Sequence, residues 1–276
     1  MQFTKMQGIG NDYIYVNLFM EHVAHPSDLS RHISDRHFGI GSDGLVLIGP
    51  SDKADLRMQM FNADGSEGKM CGNACRCIGR YAYERGLTDR TTFTLETGSG
   101  IRTISLNVVE GKVQSAVVDM GEPVFTAEKI PTTLSNPNED SILVNGVTWP
   151  VTSLSMGNPH CVTFVEDPDA LELSEIGPSF EHNSVYPEGV NTEFVSICPD
   201  GSLRLRVWER GSGETMACGT GACAALVAAA IHGMSPRRNV VHLRGGDLRI
   251  EWREDGHVLQ EGPAEFVCDG VWPDDE

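Results

Sequence analysis

Two short cysteine motifs and two short asparagine motifs recur at one spacing in this chain, and that spacing constrains its fold more than any other feature. Met70-Cys71-Gly72-Asn73-Ala74 is echoed by Ala217-Cys218-Gly219-Thr220-Gly221, and Gly10-Asn11-Asp12 by Gly157-Asn158-Pro159. The two intervals agree, since 218 − 71 = 147 and 158 − 11 = 147. A fixed internal offset marks a duplicated unit. The expected architecture is therefore α+β, with two similar pseudo-symmetric domains, each a mainly antiparallel sheet wrapped around a central helix, and an active site in the cleft between them.

The end of each repeat reads as loop and then helix. Cys71-Gly72 leads into Arg76–Arg85 and a stopping Gly86, while Cys218-Gly219 leads into Ala222–His232 and Gly233; a glycine there supplies the left-handed C-cap. The second helix is apolar on every face, so it must be enclosed on all sides. Short alternating runs that turn at Glu110-Gly111, Asp200-Gly201, Gly245-Gly246 and Asp255-Gly256 predict hairpins rather than crossovers around it. Joints of similar composition, Gly121–Phe125 and Gly262–Phe266, place the domains at 1–117 with 262–276 and at 118–261. The acidic tail Asp274-Asp275-Glu276 reads as a frayed terminus.

A cysteine that directly precedes a helix sits beside backbone N–H groups with no intrahelical partner, a setting that lowers a thiol's pKa and binds anions. If two such helix ends converge, the amides of Gly72, Asn73, Gly219 and Thr220 can hold one carboxylate between two sulfurs. Inverting an α-carbon needs a base on one face and an acid on the other. Cys71 and Cys218 supply that pair, and their titration then belongs to both together. At the 147-residue offset Asn62 matches Glu209 and Gly44 matches Asn191. Together with Asn11 and Asn158 these polar groups suit an ammonium and a carboxylate. Arg210 can grip a carboxylate bidentately, and His160 follows Asn158-Pro159, where it can polarise a thiol. Taken singly, each asparagine reads as a turn residue, the arginine as a solvated charge and the cysteines as small core residues.

A net charge of −18 argues against nucleic-acid or anionic-membrane partners. The opening Met1–Met6 carries no apolar stretch of signal-peptide type, and the longest apolar run, Ala222–Ile231, is shorter than a bilayer span. The expected location is the cytoplasm. The chain has eight cysteines, and the C-x3-C-x-C spacing of Cys71, Cys75 and Cys77 departs from the paired C-x2-C of structural zinc sites, so no metal is expected.

The runs Asn62–Ser66 with Cys71–Arg76, Gly8–Asp12, Ser155–His160 and Glu209–Gly221 resemble the signature of the diaminopimelate epimerases across nearly the whole chain. That resemblance implies interconversion of LL- and meso-diaminopimelate without a cofactor, a homodimer, and Cys71 and Cys218 as the acid–base pair. It also implies that backbone groups of Gly72, Asn73, Gly219 and Thr220 bind the reacting carboxylate. Asn11, Asn62, Asn158, Asn191, Glu209 and Arg210 would bind the rest of the substrate, with His160 and Glu209 near the reacting centre. Two positions depart from the family's pattern. Gly44 stands where some members carry glutamine, and Ala74 where glycine is common. A proline racemase or hydroxyproline epimerase is the nearest alternative. A pyridoxal phosphate racemase, a redox or zinc protein and a non-catalytic amino-acid binder stand further off.

Overall fold

The computed structural model describes residues 1–273, so the expectation about Asp274-Asp275-Glu276 lies outside the described residues. The chain divides into two compact units, Met1–Asp119 joined by the chain from Glu261 onward, and Met120–Gln260.

In the first unit, strand Gln2–Gly8 pairs antiparallel with Asn11–Asn17. Helix α1 (Pro26–Ser34) then carries the chain across so that Gly44–Gly49 lies parallel to Asn11–Asn17, with Ile14 opposite Leu45. Pro26 at the first helical position, Asp28 in the first turn and Arg31 and His32 in the last suit the helix ends and dipole. Leu56–Asn62 returns antiparallel, and helix α2 (Gly72–Glu84) crosses over to Thr92–Thr97, which runs parallel to it. The meander of Thr92–Thr97, Gly100–Val109 and Lys112–Asp119 follows. Glu265–Val271 closes the unit against Gln2–Gly8. Phe3, Ile14, Val16, Ile33, Leu45, Leu47 and Phe61 form a core between α1 and the sheet.

The second unit repeats this course. Val147–Ser155 and Pro159–Phe164 are antiparallel, helix α3 (Leu173–Glu181) leads to the parallel strand Asn191–Ile197, and Leu203–Glu209 returns. Helix α4 (Gly219–Ile231) then crosses to Arg238–Leu243, parallel to Leu203–Glu209. Adding 147 to the ends of α1 gives those of α3, and adding it to the ends of α2 gives those of α4. The same shift turns the Ile14–Leu45 pair into Cys161–Thr192. Duplication therefore extends from the motifs to strand register.

Helix α4 has no charged residue, and Ala222 through Ala229 are completely buried. Strands Val147–Ser155, Pro159–Phe164, Asn191–Ile197, Leu203–Glu209, Arg238–Leu243 and Gly246–Trp252 surround it. Its enclosure follows from a surface with no polar face. The hairpin expectation needs one correction. Among the described residues, parallel pairings bridged by each of the four helices join the antiparallel meanders. The sequence reading assigns no helix to 26–34 or 173–181. Helix α1 is only nine residues long with Leu29 and Ile33 as its apolar anchors, and α3, equally short, contains Gly177 and Pro178, which read as breakers. Among the described residues, no helix is long and apolar enough to cross a membrane.

Candidate active site

Each cysteine of the repeated motif is the N-cap of its helix, in extended backbone conformation. Cys71 is half-buried, and its thiol donates to Asn11 Oδ1 at 3.4 Å. Asn73 Nδ2 donates to the same oxygen at 3.2 Å, and Asn11 Nδ2 donates to Asp43 Oδ2 at 2.7 Å. Asn11 is thus held on both sides, with its oxygen facing the sulfur. Asn73 is fixed in turn by Arg76, which is fully buried and donates from Nη2 to Asn73 Oδ1 at 2.9 Å. Burial pushes the Asp43 carboxyl up, against the opposing hydrogen bonds from Asp12 N–H and Asn11.

Cys218 is buried more deeply, 4% exposed. Gly221 N–H donates to its sulfur at 3.4 Å, and Thr220 Oγ1 lies 3.5 Å away. Thr220 Oγ1 accepts from Asn158 Nδ2 at 3.3 Å, and Asn158 Oδ1 faces His160 Nε2 at 3.0 Å. His160 Nδ1 meets Glu193 Oε1 at 2.7 Å, and both side chains are completely buried.

The lowering expected of a helix N-terminus is present at Cys218 but outweighed. Burial pushes this thiol well up, and the Glu209 and Glu193 carboxylates push in the same direction. The Thr220 hydroxyl and Gly221 amide pull it down only in part. Removing a thiolate from water beside two carboxylates outweighs the helix end.

The remaining expected residues divide. Asn191 is buried, with Nδ2 donating to Pro159 O at 2.7 Å and Oδ1 accepting from Arg210 N–H at 3.0 Å. It braces the start of the strand that carries His160. Arg210 is exposed and donates from Nη1 to Glu188 O at 3.0 Å. Glu209 accepts a hydrogen bond from the Thr215 hydroxyl. Asn62 is exposed and turns to Ser66 Oγ at 2.9 Å. Gly72 and Gly219 open their helices, with Asn73 and Thr220 next. A Cβ on Gly44 would lie 2.0 Å from Phe61 O and 2.9 Å from Tyr13 Cε1, so this backbone has no room for a longer side chain there. Ala74 lies inside the first turn of α2, where alanine is well suited to helix.

Sequence reasoning missed Asp43 and Glu193. Asp43 follows a serine in a turn, where an acidic residue reads as solvated. Glu193 sits in Asn191–Ile197, whose first five residues are all buried. Because that run opens Asn191-Thr192-Glu193, it reads as polar, and its burial left no signal in the sequence.

The architecture is shared with solved racemases and isomerases. A probable proline racemase from Agrobacterium radiobacter matches with a TM-score of 0.75 at 14% identity, covering 99% of this chain and 93% of that one. A hydroxyproline epimerase from Agrobacterium vitis matches at 0.71 and 15%, covering 98% and 91%. These likenesses define the class of fold, that of the two-domain proline racemase and PhzF-like proteins. Sequence is more specific. The family model for diaminopimelate epimerase matches residues 3–126 and 152–267. Curated diaminopimelate epimerases from Acetivibrio thermocellus and Phocaeicola vulgatus are 51% and 52% identical, each over 98% of this chain and 98% and 97% of their own lengths. The chain belongs to the diaminopimelate epimerase family, a family of isomerases.

Proposed function

We propose that the chain interconverts LL-2,6-diaminopimelate and meso-2,6-diaminopimelate without a cofactor, with Cys71 and Cys218 as the two proton-handling groups. The observation that carries this reading is that both are N-caps of helices equivalent under the 147-residue offset, in a chain of this family.

A thiolate on one face takes the α-proton, and the electron pair left on carbon is drawn into the adjacent carboxylate. The first-turn amides of Gly72, Asn73, Gly219 and Thr220 stabilise charge on its oxygens. A thiol on the other face returns a proton to carbon with inverted configuration, and the sulfurs exchange roles on the way back. Burial and two carboxylates favour the protonated form of Cys218, which suits it to act first as the acid, with Cys71 as the base. Asn11, Asn62, Asn158, Asn191, Glu209 and Arg210 bind the ammonium and the distal amino-acid end, and His160 and Glu209 support the proton transfers. Residues 1–117 with 262–276 form the domain that carries Cys71, and 118–261 the domain that carries Cys218. The enzyme works as a cytoplasmic homodimer, in the supply of lysine and peptidoglycan precursors.

Cys71→Ala and Cys218→Ala test the assignment by chiral separation of product. Each variant should bind diaminopimelate and lose at least about a hundredfold in kcat, the lower end of what a positioned acid or base contributes. Near-normal turnover by either variant would refute the two-thiol reading.

A further inference from the structure

Glu193 is placed as a functional residue would be, yet the proton transfers above use only its charge on Cys218 and give no part to its contact with His160. Its strand lies parallel to the one that carries His160, with His160 opposite Asn191 and Val162 opposite Glu193. This register sets His160 and Glu193 on one face of the sheet. Glu193 Oε1 takes the Nδ1 side of the imidazole at 2.7 Å, which leaves Nε2 to face Asn158 Oδ1 at 3.0 Å. Beyond Asn158 the contacts continue through Thr220 Oγ1 at 3.3 Å to Cys218 Sγ at 3.5 Å. The same carboxylate presses on the head of α4, because a Cβ on Gly221 would meet Glu193 Oε1 at 2.7 Å and Cys218 Sγ at 3.2 Å.

Two further observations argue against a purely structural role. Glu193 Oε2 is buried without a hydrogen-bond partner, a cost that a residue kept for packing alone does not explain. In the first unit, the positions 147 residues earlier are Tyr13 and Val46, since 160 − 147 = 13 and 193 − 147 = 46. Both are buried in an otherwise matching sheet, so the repeated fold is built without a His–Glu pair.

We propose that Glu193 is a positioning residue for the chemistry at Cys218, anchoring His160 through Nδ1 so that Nε2 addresses the Asn158–Thr220–Cys218 chain. The proposal rests on the two-thiol reading above. The titratable groups facing the Glu193 carboxyl are His160 on the neighbouring strand, Glu209, and the thiols Cys161 and Cys218.

The test is Glu193→Gln, which preserves size and an acceptor oxygen but removes the charge. It should lower kcat about tenfold with KM for diaminopimelate within about twofold. Because burial raises the Glu193 carboxyl above its ordinary value, the fold disfavours its ionised form, and the neutral variant should melt no lower than wild type at pH 8. The imidazole N–H resonance of His160, identified by its absence from His160→Gln, should move in Glu193→Gln. A kcat within twofold of wild type, or a loss of kcat matched by a fall in melting temperature, would overturn the proposal. If the wild-type protein fails to epimerise diaminopimelate, the two-thiol reading falls by itself. The His160 resonance still judges the pair, and its constancy in Glu193→Gln would end the proposal.

Discussion

At the scale of single residues, the two motif cysteines differ more than their matched sequences imply. Burial lifts the core thiols of Cys75 and Cys161 to about 12 and Cys77 to about 11. Cys218 shares that burial and adds carboxylate neighbours, whereas Cys71 is half-buried, with its sulfur against Asn11 Oδ1 and within electrostatic reach of the Arg76 guanidinium. Iodoacetamide at pH 7.5 should therefore alkylate Cys71, along with exposed Cys268, before Cys218. Labelling of Cys218 should rise only at alkaline pH, because its thiolate forms above the ordinary thiol range. Peptide mapping over a pH series would check both, and earlier labelling of Cys218 would contradict the assignment. At Gly44, substitution by alanine should cost about 1–3 kcal/mol of stability through overpacking, read as a lower urea midpoint. The motifs made Cys71, Cys218, Asn11 and Asn158 legible, because duplication repeats a residue type at a spacing. Glu193 and Asp43 were illegible because their meaning depends on partners across strands and turns, such as His160 at 33 residues' remove.

At the scale of elements, the two central helices could be read to within a residue at their C-terminal ends, while their starts were placed four and three residues late. A cysteine-glycine start and a glycine stop bracket each, and Gly86 and Gly233 take φ values of +74° and +67°. A Cβ at either would meet nothing within 4 Å, so only the left-handed backbone opposes a side chain there. Gly86→Ala and Gly233→Ala should each cost roughly 1–2 kcal/mol by denaturant unfolding. Unequal costs would show that the two helix ends are not equivalent. Helices α1 and α3 escaped the reading for lack of a long apolar face. Their stability comes from tertiary contacts, with Ile33 and Phe180 buried in the two cores. The parallel pairings went unseen with them, since a crossover is invisible until its helix is recognised.

At the scale of the whole molecule, the 147-residue offset carried most of the fold, because it fixes order, length and register at once. It could not say where the copies diverge, and the divergence lies near the thiols, His160 and Glu193 standing where the other copy has Tyr13 and Val46. Side chains add to the closing of the first unit at Asp269, which accepts from Thr4 Oγ1 at 2.7 Å and from Arg85. The Thr4 and Arg85 hydrogen bonds hold its carboxyl below the ordinary 3.8. Its stabilisation is therefore present above pH 3.8 and lost as pH falls through the lower folded value. Asp269→Asn should be less stable than wild type at pH 7, with the gap closing in that acid window; a gap independent of pH would contradict the linkage. The central claim, one proton handled by a separate sulfur on each face of the α-carbon, is tested most directly by early turnover in deuterated water. Two bases predict deuterium at the α-carbon of the product while recovered substrate remains unlabelled. Equal labelling of substrate and product from the first turnovers would mean that a single base does the work.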